Sequence, residues 1–324
     1  MKIQSIYAPY IKQYLELKRS LGFTLRDVEY IFYQFDRLTI TRGEKLIGIT
    51  KEFSDVWCKK SQNETDGTRY ARVSQLSLFA RFLCNIGFPS YVPKVPPFKS
   101  SFTPYIFSKN EIALIFSASD HFVPDKIVHD SSYMMMPTLF KLLYGTGLRL
   151  QEALSLEEKD VNVEDKYIIV RQSKNGTERM VPVSDSLADV CRQYRDQKRL
   201  WTAGHIKSKL FFVKNDNSPC GRGTPYLLFR QILWKIGIPH KGKGLGPRLH
   251  DLRHTFACHA LAEMAESGLD LYHSLPVLST YLGHRTLEST NKYVRLTAEM
   301  YPNLLKNVND VCSYVFPELK NNEQ

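Results

Sequence analysis

Apolar residues recur at helical spacing through the first ninety positions. Tyr7, Ile11, Tyr14, Leu17 and Leu21 fall three or four apart, which predicts an amphipathic helix that Gly22 stops. A second helix is predicted from Leu25 to about Leu38, and a shorter one over Phe53–Cys58 after Thr50. A fourth runs from about Thr68 to Ile86, where Tyr70, Val73, Leu76, Phe79, Phe82 and Leu83 lie near one face and Gly87 ends it. No two-residue alternation appears in this stretch, so residues 1–87 read as a helical bundle. Its aromatics (Tyr7, Tyr14, Phe32, Phe35, Phe79, Phe82) sit in phase with the helices and belong to a core rather than to a base-stacking surface.

The pattern then breaks. Residues 88–104 carry five prolines. Proline fixes φ and lacks the amide donor, so an extended connector and a domain boundary are predicted here. A second domain follows over residues 105–299. Ser108 and Glu111 form a capping box in front of Ile112–Phe116, and Met134–Tyr144 is apolar enough for a buried helix. A helix restarts after Arg149 with Leu150, Ala153 and Leu154 inward. The period changes at Tyr167–Val170 and Arg179–Val183, two strand-like runs joined through Asn175-Gly176, a hairpin-turn signal. Helices return over Leu187–Leu200 behind Ser184, over Tyr226–Ile236, from His250 through His259, up to Leu282-Gly283, and over Thr286–Ala298. The fold class is therefore mainly α with a small β-sheet (α+β): an N-terminal bundle and a larger second domain. In residues 300–324, Leu304, Leu305, Val308, Val311, Tyr314 and Val315 predict a further helix in need of a docking surface.

Charge adds a partner class. The 324-residue chain has a net charge of +11. Residues 1–100 hold 16 Lys and Arg against 9 Asp and Glu, a net of +7, so most of the excess lies in the bundle. Lys12, Lys18, Arg19, Arg69, Arg72 and Arg81 are read as its basic exterior and as DNA-backbone contacts. On charge alone, a nucleic-acid partner and a merely basic soluble enzyme stand about equal. The six cysteines are scattered without a C-x-x-C pair, which fits reduced thiols rather than a disulfide frame or a zinc site. No run of 18 apolar residues and no secretory leader pattern occur, so a soluble, cytoplasmic protein without membrane contact is expected. No P-loop is present, and no nucleotide cofactor is assigned.

The candidate chemistry clusters late in the chain. His250 and Arg253 are three apart and share a helix face; His254 follows. Arginine is not a metal ligand and no carboxylate pair stands near, which leaves satisfied core histidines or a phosphate clamp. Arg149 starts a helix, where an anion is welcome, and Glu152 lies three residues on, able to orient a basic group. Lys174 falls on the hairpin tip; alone, a loop lysine is usually just exposed. His284 follows Gly283, and Tyr293 lies nine residues further, about 13 Å along a continuous helix. A break at Gly283 lets the last helix fold back so that both reach one phosphate.

Taken in order, Arg149, Lys174, His250-x-x-Arg253, Leu282-Gly283-His284 and Tyr293 resemble the tyrosine recombinase (phage integrase) family. The words around them match as well: Thr-Gly-Leu-Arg-x-x-Glu-Ala-Leu, His-Asp-Leu-Arg-His-Thr and Leu-Gly-His. The likeness covers residues 105–300; the bundle resembles the family's core-binding domain in length, helicity and charge alone. One departure is Val294-Arg295 after the tyrosine, where many members have Thr-His.

The resemblance implies a site-specific recombinase acting on double-stranded DNA recombination sites as a homotetramer, with sister recombinases in some systems, and near the nucleoid. Tyr293 is implied as the nucleophile forming a 3′-phosphotyrosyl bond, Arg149 and Arg253 as the clamp, and His284 as a phosphate ligand. Lys174 is implied as the general acid, His250 as the base or the group that positions the tyrosine, and Glu152 as support behind the clamp. No metal and no cofactor are expected. Alternatives left open are a relaxing enzyme of the type IB topoisomerase kind and an inactive DNA-binding protein on the same fold. A metal phosphoesterase is disfavoured by the missing carboxylate ligands. For the C-terminal segment, docking on a neighbouring protomer and docking on its own domain both stand.

Overall fold

The computed structural model describes residues 2–23, 25–98, 103–122, 131–171, 178–201, 208–239, 242 and 246–301. Among these the chain is mostly helical with one small sheet, and its contacts divide it into two compact units, Met1–Phe102 and Thr103–Gln324.

The first unit holds α1 (Ala8–Ser20), α2 (Arg26–Arg42), α3 (Lys51–Cys58) and α4 (Asp66–Asn85). All four coincide with predicted helices. The second runs about a turn further than its apolar pattern because Thr39 back-bonds to Phe35 O (2.9 Å) and the chain only turns left-handed at Gly43, φ 64°. Thr50 and Thr65 cap α3 and α4 by accepting from Phe53 N and Thr68 N. Inside, Tyr7, Tyr14, Phe32, Phe35, Phe53 and Phe79 meet mainly edge to face at about 5–6 Å. The proline-rich stretch has no regular element but does not run free. Tyr91 N–H donates to Ile49 O (2.7 Å), Phe88 and Val92 pack on the aromatic core, and Phe98 lies over Tyr70.

The basic exterior needs one correction. Lys12, Arg19 and Arg81 are exposed. Lys18 is half-buried over the Tyr14 and Phe23 rings, and Arg69 donates to Cys58 O (2.9 Å). Arg72 is buried. Its guanidinium grips Glu64 with two 2.8 Å bonds, reaches Lys59 O at 3.1 Å and lies 5.0 Å from the Trp57 ring. Helical spacing put Arg72 beside basic neighbours but did not reveal that Glu64 closes over it. Arg72→Met leaves that carboxylate buried without its partner. It is expected to destabilise the N-terminal unit by about 3 kcal/mol, read as a lower thermal transition; an unmoved transition contradicts this structural role.

The second unit contains α5 (Lys109–Asp120), α6 (Met136–Thr146), α7 (Leu150–Leu154), α8 (Asp185–Trp201), α9 (Gly223–Lys235), α10 (Asp251–Glu266), α11 (Leu271–Leu282) and α12 (Glu288–Met300). The capping box of Ser108 and Glu111 is present in both directions. β1 (Val161–Asn162), β2 (Tyr167–Val170) and β3 (Arg179–Pro182) form an antiparallel sheet in the order 1-2-3. The two-residue β1 is too short to leave a periodic signal; it pairs Val161 with Ile168. α10 is the central helix, in contact with α6, α11 and α12 and buried along most of its length. Among the described residues no helix is long and apolar enough to cross a membrane. The five described cysteines are free thiols. The hairpin tip with Lys174 and the predicted helix beyond residue 301 lie outside the described residues.

Candidate active site

Three chain reversals bring the candidate residues together. At the first, α6 ends on Gly147, φ 60°. A Cβ there would stand 2.6 Å from Phe256 of α10 and 2.8 Å from Leu282 of α11, so glycine serves both the left-handed turn and the close approach. Arg149 is thereby set beside α10. The expected anion seat at the start of α7 is not open, however. The helix has five residues, and Glu152 Oε2 already accepts the Arg149 N–H (3.0 Å) while Oε1 accepts from Arg149 Nη1 (2.7 Å). Arg149 offers its guanidinium rather than a helix terminus, and its Nη2 reaches Gly283 O at 3.5 Å.

At the second reversal, Asp251 folds back on Arg248 N (2.8 Å) and starts α10. Arg253, one turn in, is buried. Nη1 donates to Gly147 O (2.5 Å), and Nη2 donates to Leu282 O (2.8 Å) and to His284 Nε2 (2.9 Å). One guanidinium therefore ties together the loop of Arg149 and the turn of His284. Burial, then the charge of Arg149, lowers its pKa to about 10, so it stays charged at neutral pH.

The third reversal is at Gly283, φ 66°, after which α12 folds back along α10 as expected from the break. The His284 and Tyr293 rings lie stacked, 6.2 Å between centroids. Arginine only donates, so His284 Nε2 accepts; Nδ1 then carries the proton and donates to Thr290 Oγ1 (2.8 Å). Burial and the arginines Arg253 and Arg149 hold the His284 pKa at about 4, which agrees with a neutral ring.

Tyr293 is 1% exposed. Its hydroxyl lies 2.8 Å from His254 Nδ1, not against His250. His254 is thus the histidine that meets the phenol here, whereas His250 stands exposed at the start of α10 without a side-chain cap bond, its ring edge-on to His254 at 4.9 Å. The sequence passed over His254 because i and i+1 do not share a helix face, yet here Arg253 and His254 straddle the α11–α12 side of α10. Burial pushes the Tyr293 phenol up to about 12, with Arg253 pulling it partly back. The Lys292 ammonium lies 5.1 Å from the same ring.

A cavity of about 490 Å³ beside α10 is lined by Leu143, Leu148, Leu150, Tyr226, Arg222, Arg248, His250 and Arg253; Arg149, His284 and Tyr293 do not line it. Thus Arg149, His250, Arg253, His284 and Tyr293 converge, with Glu152 behind Arg149. Arg179, Thr290 and His254 were not foreseen.

The phage integrase family model matches residues 106–300. The chain belongs to the phage integrase family of tyrosine recombinases. Similarity runs along nearly the whole recombinase. A putative integrase/recombinase, y4rB of Sinorhizobium fredii, is 29% identical over 303 residues, 91% of this chain and 95% of its own. The tyrosine recombinase XerA of Pyrococcus horikoshii is 30% identical over 207 residues, 64% of this chain and 61% of its own. Among solved structures, a lambda integrase (75-356) dimer bound to a COC′ core site has a TM-score of 0.60 at 16% identity, covering 88% of this chain and 94% of that one. XerH bound to a palindromic difH substrate, a post-cleavage complex, has a TM-score of 0.57 at 18% identity, covering 81% and 70%. These two share the fold with the recombinase.

His254 titration supplies a test of the buried pair. Burial first, then His250, Lys292 and Arg253, lower its pKa from 6.5 to about 2. The unfolded chain takes up a proton below pH 6.5 that the folded chain refuses. Stability tied to His254 is therefore whole above pH 6.5 and is lost as pH falls, by at most about 1.4 kcal/mol per pH unit. Urea unfolding of His254→Gln is expected to show a flatter decline between pH 6.5 and 5 than the parent chain. Parallel curves contradict a neutral, buried His254.

Proposed function

We propose that the chain cleaves and rejoins double-stranded DNA at specific sites through a 3′-phosphotyrosyl intermediate on Tyr293, without metal ion or ATP. The observation that carries this reading is the convergence of two arginines and His284 beside a tyrosine whose hydroxyl already has an imidazole partner.

A phosphodiester repels nucleophiles through its negative charge. Arg149 and Arg253 accept that charge on the non-bridging oxygens and stabilise the second charge gained as the phosphorane forms. Tyr293 Oη bonds to phosphorus and the bond to the 5′-oxygen breaks. The phenolic proton leaves to imidazole, and the 5′-oxygen takes a proton from Lys174, giving a free 5′-hydroxyl. Attack by another 5′-hydroxyl on the phosphotyrosine reverses the sequence and joins the strands, so no external energy source is needed.

The present arrangement is a resting one in this reading. Tyr293 must turn out of its buried place to reach phosphorus, and His284 must carry a proton on Nε2 to donate to the phosphate. An incoming phosphate promotes both. It draws Arg253 away from His284, and its negative charge raises the depressed pKa of the nearby histidines.

The basic exterior of the N-terminal unit, at Lys12, Lys18, Arg19, Arg69 and Arg81, would hold the DNA backbone. A lambda integrase tetramer bound to a Holliday junction, which shares the fold, supports a tetramer on DNA; action on DNA is what would place the chain in the cytoplasm beside the nucleoid. The test is covalent capture of a nicked duplex in the presence of EDTA. Adducts that form with EDTA and release a 5′-hydroxyl strand support the mechanism; adducts lost to the chelator overturn its metal-free step.

A further inference from the structure

Arg179 is a buried charge beside the site that the mechanism above does not use. It opens β3 opposite Val170, on the same face as buried Val181 and not on the solvent face of Met180. Its side chain is 9% exposed, so it does not reach out to a substrate. Nη2 donates to Glu152 Oε2 (2.9 Å), Nη1 stands 3.5 Å from Oε1, and Nε donates to Tyr281 O (2.9 Å). The guanidinium also lies against Gly283, where a Cβ would come within 2.9 Å of Nη1 and 3.0 Å of Cζ. Glycine at 283 therefore makes room for Arg179 as well as for the turn.

Glu152, 2% exposed, is consequently shared by two arginines. Burial alone would raise its carboxyl pKa, but the bonds from Arg179 and Arg149 outweigh that and hold it below the usual range. One carboxylate between two guanidiniums leaves a surplus positive charge, to which Arg253 adds a second. That surplus matches a phosphodiester that gains a second negative charge on attack. Without Arg179, the whole charge of Glu152 falls on Arg149, in a site poor in water where such pairing is strong.

We propose that Arg179 is a positioning residue for strand cleavage. By sharing Glu152 and bracing the Tyr281–Gly283 turn, it leaves the charge of Arg149 available to the scissile phosphate and sets the turn from which His284 projects. The proposal rests on the recombinase reading above.

Covalent capture by the wild-type chain first selects reactive sites from nicked duplexes with randomised flanks. A wild-type chain that captures none removes the recombinase reading and this proposal with it. Adduct rates are then compared for wild type, Arg179→Gln, Glu152→Gln and the double variant. The substrates are the selected duplex and the same duplex with a methylphosphonate at the scissile position. Arg179→Gln is expected to slow capture of the phosphodiester by about 10- to 100-fold, with DNA affinity held because Arg179 touches no phosphate. The double variant is expected to react faster than Arg179→Gln, since removing the carboxylate charge frees Arg149. On the neutral methylphosphonate the Arg179→Gln penalty is expected to shrink. Wild-type rates in Arg179→Gln overturn the proposal. Equal losses on both substrates without recovery in the double variant also overturn it, because they mark a general loss of packing.

Discussion

Tyr293→Phe is expected to abolish covalent capture of DNA while leaving DNA binding intact. Among the described residues no other group is set to replace the phenol oxygen: the neighbouring side chains are imidazoles, guanidiniums, the Lys292 ammonium, the Thr290 hydroxyl, which holds His284 Nδ1, and the Cys258 thiol, which burial pushes up to about 11 and so keeps protonated. Loss of a covalent nucleophile removes on the order of 10⁴-fold or more of the rate, which takes adducts below detection. Binding survives because the ring, buried against α10, keeps its packing. Stability falls modestly, by about 1 kcal/mol for one hydrogen bond lost from His254 Nδ1. Denaturing gels of nicked duplex with each variant read the adduct, and gel shifts read the binding. Adducts persisting in Tyr293→Phe would end the assignment of Tyr293.

Arg253→Lys is expected to have the next largest effect, although it preserves the charge. The guanidinium fork is what the site uses: one nitrogen for Gly147 O, the other for Leu282 O and His284. A lysine ammonium is a point charge that cannot span both carbonyls and still face a phosphate. The expected loss is about 10²- to 10³-fold in adduct formation, the scale of a removed oxyanion donor. Stability falls by about 1–3 kcal/mol for each buried carbonyl left unpaired. Capture rates at saturating protein, with thermal melts alongside, separate the two effects. A lysine variant that cleaves at the parent rate contradicts the clamp.

Both effects centre on α10, which is buried along most of its length. Its residues at 253 and 254 face different partners: Arg253 meets Gly147 O, Leu282 O and His284, and His254 meets the tyrosine of α12. Under the proposed mechanism, this arrangement keeps the nucleophile and the clamp close but separately engaged.

Local rules accounted for much of this. Helical spacing located the four helices of the first unit, the change of period located β2 and β3, and Gly283 marked the reversal that folds α12 back. The spaced words around Arg149, Arg253, His284 and Tyr293 carried the family, because each word combines a backbone requirement with a chemical group. Gly147 and Gly283 show this: both have positive φ and both make room for side chains packed against them.

What needed the folded chain were the pairings between distant residues. Arg72 looked like surface charge until Glu64 closed on it. The phenol of Tyr293 took His254 rather than His250, and Glu152 gained Arg179 from 27 residues away. Sequence by itself determined which segments become helix or strand and which reactive groups the chain carries, since those follow from period, turns and residue type. Which of several histidines or arginines meets which partner depends on the approach of helices remote in sequence, and only the tertiary structure decided that.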